Sequence, residues 1–238
     1  MNEPTVEMNL SCARETAVRP SERVLQVAAM FGLGVDESRK EQVIPPVKLL
    51  LGRGMVIFLH GPSGSGKSTL LRLIREEALQ RAEVELIEVG RSAGAGGAGD
   101  DATGAGEGAD VPLVDRLGGS LEEATAVLAA AGLGDAFVML RCEEQLSDGQ
   151  RSRWLLAQLM AQAATVAPEK LPLVLVDEFA ATLDRRTAAI IARNVHRFAR
   201  KAGVCVVVAG THEDILEALD PDLLVYIPLG EAIEVLSR

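Results

Sequence analysis

The sequence predicts an α/β fold with a mainly parallel core sheet, antiparallel edge strands and an inserted helical subdomain. Three observations carry that expectation. The apolar runs Met55-Val56-Ile57-Phe58-Leu59, Leu171–Val176 and Val204–Val208 are short and unbroken, as strands buried on both faces should be. Each run is followed by a segment of helical character, the alternation expected of crossover units. The stretch from about 112 to 168, between the sheet-building parts, reads as helical throughout.

The elements follow in order. Residues 1–20 are polar and are expected to form a flexible N-terminal segment before a domain spanning 21–238. Ser21 is placed to cap a short helix with Val24, Leu25, Ala28, Met30 and Phe31 on its apolar side. Gln42–Leu51 reads as an edge strand, because Pro45 and Pro46 lack the N–H that a central strand donates. Gly52-Arg53-Gly54 turns the chain into the first buried strand. A helix is expected from about Lys67 to Gln80 and a strand at Ala82–Val89. From 90 to 110 the chain is mostly Gly, Ala and acid; it cannot bury a core and is read as a flexible surface loop.

Within 112–168, Ser120 and Glu123 form a capping box for a helix through Ala124–Ala131, which Gly132 and Gly134 end. Asp135–Leu140 begins another helical segment, and Ser147 with Gln150 caps the helix Arg151–Ala164. After the Leu171–Val176 strand, Asp184 caps a long helix that turns Ala188, Ile190, Ile191, Val195 and Phe198 inward and stops at Gly203. Thr211 is expected to cap a short helix at 212–219, and Leu223–Ile227 pairs with Ala232–Leu236 through a turn at Gly230.

Size and composition narrow the function. A chain of 238 residues suffices for one large domain with a substantial core. A net charge of −10 argues against a broad basic face for nucleic acid. Cys12, Cys142 and Cys205 are scattered, which excludes a disulfide framework or zinc site on spacing and suits a reducing compartment. The first residues lack the apolar core of a signal peptide, and nothing approaches a membrane span, so a cytoplasmic location without membrane insertion is expected.

The chemistry is concentrated at Gly61-Pro62-Ser63-Gly64-Ser65-Gly66-Lys67-Ser68, with Thr69 opening the helix that follows. Strand, glycine loop and helix is the context that makes this pattern a phosphate cradle. The glycines let successive N–H groups converge on phosphate oxygens, and the helix N-terminus adds its positive end. Lys67 would reach the β- and γ-phosphates and Ser68 would ligate Mg²⁺. The Leu171–Val176 strand runs into Asp177-Glu178. An aspartate at such a strand end completes a hard oxygen shell for Mg²⁺, and the glutamate beyond it is placed to polarise an attacking water. Ser147 and Gln150 close a second helix N-terminus suited to an anion, and Gly149 permits close backbone approach.

Taken together the chain resembles the ABC-type ATPases. Gly61–Ser68 corresponds to the Walker A loop, Leu146-Ser147-Asp148-Gly149-Gln150 to the LSGGQ signature with one glycine replaced, and Leu173–Glu178 to Walker B. Ala181-Thr182-Leu183-Asp184 corresponds to the D-loop and Gly210-Thr211-His212 to the switch-histidine segment, all in family order across about 42–236. The resemblance implies Mg-dependent ATP hydrolysis by a head-to-tail homodimer, ATP lying between one Walker A loop and the mate's signature helix. It implies Lys67, Glu178 and His212 as the catalytic groups, with Glu178 as general base and His212 as γ-phosphate sensor. Ser147, Gly149 and Gln150 then contact nucleotide in trans, and Ser68 and Asp177 hold the metal.

Three departures are visible. No glutamine occurs between 81 and 144, and Asp115 stands near the place of the family's Q-loop residue. Val43, Pro45 and Pro46 occupy the region where an aromatic stacks on adenine. Phe179 follows Glu178 where transporter members commonly carry proline. In this the chain is similar to soluble ABC-like modules found beside GNAT acetyltransferase domains. The ATP-binding subunit of a transporter and an ATP-switched DNA- or protein-binding module are the alternatives. The basic helix carrying Arg185, Arg186, Arg193, Arg197, Arg200 and Lys201 reads as a solvated face, with a nucleic-acid or acidic-partner patch as the sharper reading.

Overall fold

The computed structural model describes residues 5–16, 21–32, 39–87, 110–179 and 184–237. Its centre is β3 (Val56–His60), in which all five positions are buried. Unbroken apolar sequence produces this result because neither face of the strand reaches water. Around it lie β4 (Val84–Ile87), β5 (Leu171–Val176), β6 (Cys205–Gly210), β7 (Leu223–Tyr226) and β8 (Glu234–Ser237). They form a six-stranded sheet in the order β4-β5-β6-β3-β7-β8. All neighbours are parallel except β7 and β8, the expected hairpin.

Successive residues of β3 serve opposite faces, as the pleat requires. Ile57 and Leu59 pack with Leu70, Leu71, Ile74 and Ala78 of α2 (Lys67–Leu79). Val56 and Phe58 pack with Leu156 and Leu159 of α6 (Asp148–Ala164) and with Ile191, Val195 and Phe198 of α7 (Arg185–Ala202). Complete burial of each such side chain contributes roughly 2 kcal/mol. One carboxylate joins the entry points of two strands: Asp222 Oδ2 accepts the Val56 N–H at 2.8 Å, and Oδ1 accepts from Arg200 at 2.7 Å.

The region from 112 to 168 is helical, as expected. It holds α3 (Leu113–Arg116), α4 (Leu121–Ala130), α5 (Ala136–Met139), a 3-10 turn at Glu143–Gln145 and α6. The capping boxes at Ser120 and Ser147 both form. Trp154 of α6 is buried, and the Arg116 guanidinium lies 5.7 Å from its ring centre, an arrangement that draws α3 onto α6.

The N-terminal region departs from expectation. Residues 5–16, read as part of a flexible segment, form β1 (Thr5–Thr16), which pairs antiparallel with β2 (Arg39–Gly52). Val6, Met8 and Leu10 alternate with polar neighbours and are buried against α2 and the sheet, together with Val47, Leu49 and Leu51. That alternation is the strand signal which overall polarity concealed. The register shifts between Leu10 and Cys12, whose partners are Val47 and Ile44. Pro45 and Pro46 lie in the gap, where their missing N–H groups are harmless.

Smaller corrections concern helix faces and caps. Helix α1 (Glu22–Met30) has its Ser21 cap, but only Ala28 is buried, and Leu25, Met30 and Phe31 are exposed. On α7, Ile190 is half exposed while Ala192 and Ala199 face the core, so the buried stripe runs differently from the one expected. Thr211 does not cap a helix. The segment begins as a 3-10 turn at Glu213–Ile215, with His212 in the cap position and no side-chain cap, and continues as α8 (Leu216–Leu219). The Gly/Ala-rich stretch at 90–110 falls almost wholly outside the described residues, as does most of the expected D-loop.

Cys205 opens β6 and is fully buried, which pushes its thiol from 9.0 up to about 12. Thiol reactivity follows the thiolate. At pH 8, iodoacetamide should therefore modify the half-buried Cys12 and Cys142 in the folded protein and reach Cys205 only in denaturant, a pattern that peptide mass mapping reads directly.

Candidate functional site

The site sits at the C-terminal ends of β3, β5 and β6. Parallel strands deliver their following loops to one edge, so segments remote in sequence meet there. A cavity of about 470 Å³ is lined by Ser63, Gly64, Gly66, Lys67, Ser68 and Thr69 from the loop after β3. Asp177 and Glu178 after β5, and Ala209, Gly210 and Thr211 at the end of β6, complete the lining.

Glycine is required at Gly61 by space and at Gly66 by its positive φ. A Cβ on Gly61 would lie 2.3 Å from the Ile227 carbonyl oxygen. Gly66 has φ +102, and a Cβ there would meet Ile44 Cδ1 at 2.9 Å, so β2 seats the loop from outside. Gly66 also occupies the cap position of α2 and offers no capping side chain, and the first turn of α2 carries no acid. The N-terminal amides of α2 are thus left to an anion. Ser65 is buried, and its hydroxyl has no protein partner.

Lys67 folds back over the loop. Its ammonium donates to the Gly61 and Pro62 carbonyls at 2.8 and 2.7 Å. Burial lowers its pKa, and the nearby Asp177 carboxylate opposes that shift. An arriving phosphate offers the ammonium a charged acceptor in exchange for neutral carbonyls.

The Asp177 carboxylate is held by backbone. Asp177 Oδ1 accepts the Glu178 N–H at 2.9 Å. Glu178 has φ 49, the left-handed region, and among the described residues only Asp220 shares that conformation without being glycine. The chain resumes beside β6 at once, because the Phe179 N–H donates to the Ala209 carbonyl at 2.8 Å and the Phe179 ring is buried. Exposed Asp177 and Glu178 therefore form a projecting step between two buried points. Ser68 and Asp177 offer hydroxyl and carboxylate oxygens to one cavity beside a phosphate cradle, a donor set that fits Mg²⁺.

Other expected residues lie elsewhere. His212 is exposed and adjoins the cavity through Thr211 without lining it. Ser147, Gly149 and Gln150 lie outside the cavity on α6. Ser147 Oγ accepts the Gln150 N–H at 3.3 Å, and Gln150 Oε1 accepts the Ser147 N–H at 3.1 Å. Asp115, placed near the Q-loop position, is exposed on α3 and is not part of the cavity. Of the D-loop only Asp184 is described, and its carboxylate caps α7 at Arg186 and Thr187. Thr211 and Gly210 are cavity residues that were read only as parts of the switch segment; the register setting Gly210 beside His60 was not visible in the sequence.

A protein-family model described as an AAA domain matches residues 51–219. The lipoprotein-releasing system ATP-binding protein LolD of Anaeromyxobacter dehalogenans (strain 2CP-C) is 32% identical over 196 residues, 72% of this chain and 77% of its own length. Solved structures share the fold. The ADP conformation of MJ1267, an ATP-binding cassette of an ABC transporter, aligns with a TM-score of 0.56 at 16% identity, covering 83% of this chain and 85% of that one. The dimeric structure of MJ0796, a bacterial ABC transporter cassette, aligns with a TM-score of 0.50 at 19% identity, covering 84% and 92%.

The strain at Glu178 gives a direct expectation. Glycine adopts φ 49 without the Cβ penalty, at the cost of a more flexible unfolded chain. Glu178→Gly should leave folding stability equal to the parent's or higher by up to about 1 kcal/mol while abolishing ATP turnover. Urea unfolding and a phosphate-release assay read the two effects separately.

Proposed function

The chain belongs to the ABC-type ATPase nucleotide-binding domains, phosphate-loop proteins that bind and hydrolyse ATP with Mg²⁺, and from that premise we propose that it works as a nucleotide-driven head-to-tail homodimer. The observation that carries the hydrolytic part of this reading is the strained Glu178 projecting at the cavity of the phosphate loop. Backbone strain persists where the surroundings impose it, and it concentrates at reacting groups.

ATP binding replaces the carbonyl partners of Lys67 with phosphate oxygens, while the loop amides and the α2 N-terminus receive the remaining charge. Ser68 and Asp177 hold Mg²⁺, which when bound neutralises charge on the phosphates. Glu178 orients the attacking water and takes its proton. His212, one residue beyond the cavity wall, would contact the transferred phosphoryl group. These groups stabilise charge where it develops, which is where most of the rate of this reaction arises.

Ser147 and Gly149 complete the site in the second copy. Two features support that role. No atom lies within 4 Å of a Cβ built on Gly149, so its surroundings are open. The signature residues also stand outside their own chain's cavity, so each copy's site lacks that half. Similarity to the dimeric cassette structure agrees with this arrangement.

A second reading, the ATP-binding subunit of a transporter, is favoured by the similarity to LolD. Among the described residues no helix is long and apolar enough to cross a membrane, so a partner would supply the span. Against it stands the buried Phe179 beside Glu178.

Glu178→Gln should retain Mg-ATP binding, shift to a dimer in size-exclusion chromatography with Mg-ATP, and lose turnover by a factor on the order of 10². Lys67→Ala should instead lose binding and stay monomeric. A parent-like rate in Glu178→Gln removes the catalytic assignment, and a monomer at every nucleotide condition removes the dimer. Co-purification with a membrane-spanning protein would select the transporter reading.

A further inference from the structure

We propose that His60 and Glu213 form a positioning pair that fixes the segment following β6 against the phosphate loop, so that turnover, rather than nucleotide affinity, depends on their contact. The inference rests on the reading that puts His212 at the transferred phosphoryl group.

His60 is the last residue of β3 and directly precedes Gly61. Its backbone is fixed on both sides, opposite Gly210 in β6 and Tyr226 in β7, and its carbonyl accepts the Ile227 N–H at 2.8 Å. The ring is pinned as well. Its centre is 5.6 Å from that of Phe58 and 5.8 Å from that of Tyr226, nearly parallel to the latter at 28°. With Ser65, it is one of two buried polar or charged residues among those described.

Its Nε2 lies 3.1 Å from Glu213 Oε1. A carboxylate has only lone pairs to offer, so Nε2 carries the hydrogen of this contact. Nδ1 is buried without a partner. Burying an unpaired polar atom is unfavourable, and a hydrogen bond to a carboxylate whose side chain is 79% exposed returns little stability. An aliphatic residue at this strand end would avoid the cost. What the histidine adds is a directional link.

That link falls where the putting of one residue matters most. Thr211 lines the cavity, His212 follows it, and Glu213 opens the 3-10 turn. The His212 side chain makes no cap hydrogen bond to the turn, and the buried Ile215 anchors its far end. Asp214 meets Arg185 at 3.0 Å, but the Arg185 side chain is 89% exposed and the pair is a weak tether. His60 therefore ties the near end of the turn to the residue before the phosphate loop. Small displacements of a positioned group change the rate far more than the binding of substrate.

The test is a double-mutant cycle on the full chain, measuring kcat, KM and equilibrium Mg-ATP binding for H60F, E213A and the double variant, with E213Q, E217A and H212A alongside. H60F and E213A should each lower kcat roughly tenfold and leave Mg-ATP affinity within about twofold. The double variant should be no slower than the slower single variant, because both remove one contact. E213Q, which keeps an acceptor, should recover most of the rate, and E217A, one turn further along the surface, should match the parent. A parent-like kcat in E213A, or losses that multiply in the double variant, overturns the proposal. Should H60F fail to fold, E213A against E213Q decides, since Glu213 lies at the surface. A parent-like rate in H212A would remove the role given to that histidine, whereas a slow H212A beside a full-rate E213A overturns the pair alone.

Discussion

Everything in this molecule depends on the ladder that seats β3 between β6 and β7. A strand with no face toward water fixes its own position by packing on both sides, and Phe58 and Leu59 settle its depth from opposite faces. The loop at its end then inherits a defined backbone. The Ile227 carbonyl closes off Gly61 and Ile44 closes off Gly66, so the phosphate cradle is shaped by neighbours rather than by its own side chains. The same ladder brings Gly210 alongside and holds the turn after β6 beside the cradle. The chemistry is a consequence of strand order: three strand ends emerge at one edge, carrying a lysine, two carboxylates and a threonine.

Much of this was legible in the sequence because the relevant signals are local. Apolar runs without alternation gave the buried strands, and the two S-x-x-E/Q boxes gave the starts of α4 and α6. The glycine loop with its lysine marked the cradle, and Asp177-Glu178 marked the strand end. What was not legible depends on packing at a distance. The strand at Gln42–Leu51 was legible, but its partner β1 was not, because Val6, Met8 and Leu10 are thinly spaced among polar residues and gain their meaning only when paired with Val47, Leu49 and Leu51. Ile190 was assigned to the wrong side of α7 because a helix face is decided by what packs against it. His60 was given no role, since its significance lies in register with β6 and β7 and in a carboxylate 153 positions away.

The absence of the signature residues from the cavity is informative in the same physical sense. Ser147 and Gln150 satisfy each other across their capping box, so α6 starts with part of its polar termini already engaged within the helix. The space beside Gly149 is open. The helices between 112 and 168 also contact one another, among those contacts Arg116 over the Trp154 ring.

The abutment of Gly61 on Ile227 has a temporal side. The residues that shape the cradle's backbone lie more than a hundred and sixty positions apart, and Asp222, which holds the start of β3, comes almost as late. During synthesis the glycine loop is made long before the wall it needs. Affinity for nucleotide is therefore a property that the nascent chain acquires only once Ile227 has been made, so ATP can act as a ligand that rewards the paired sheet and not as a template for it.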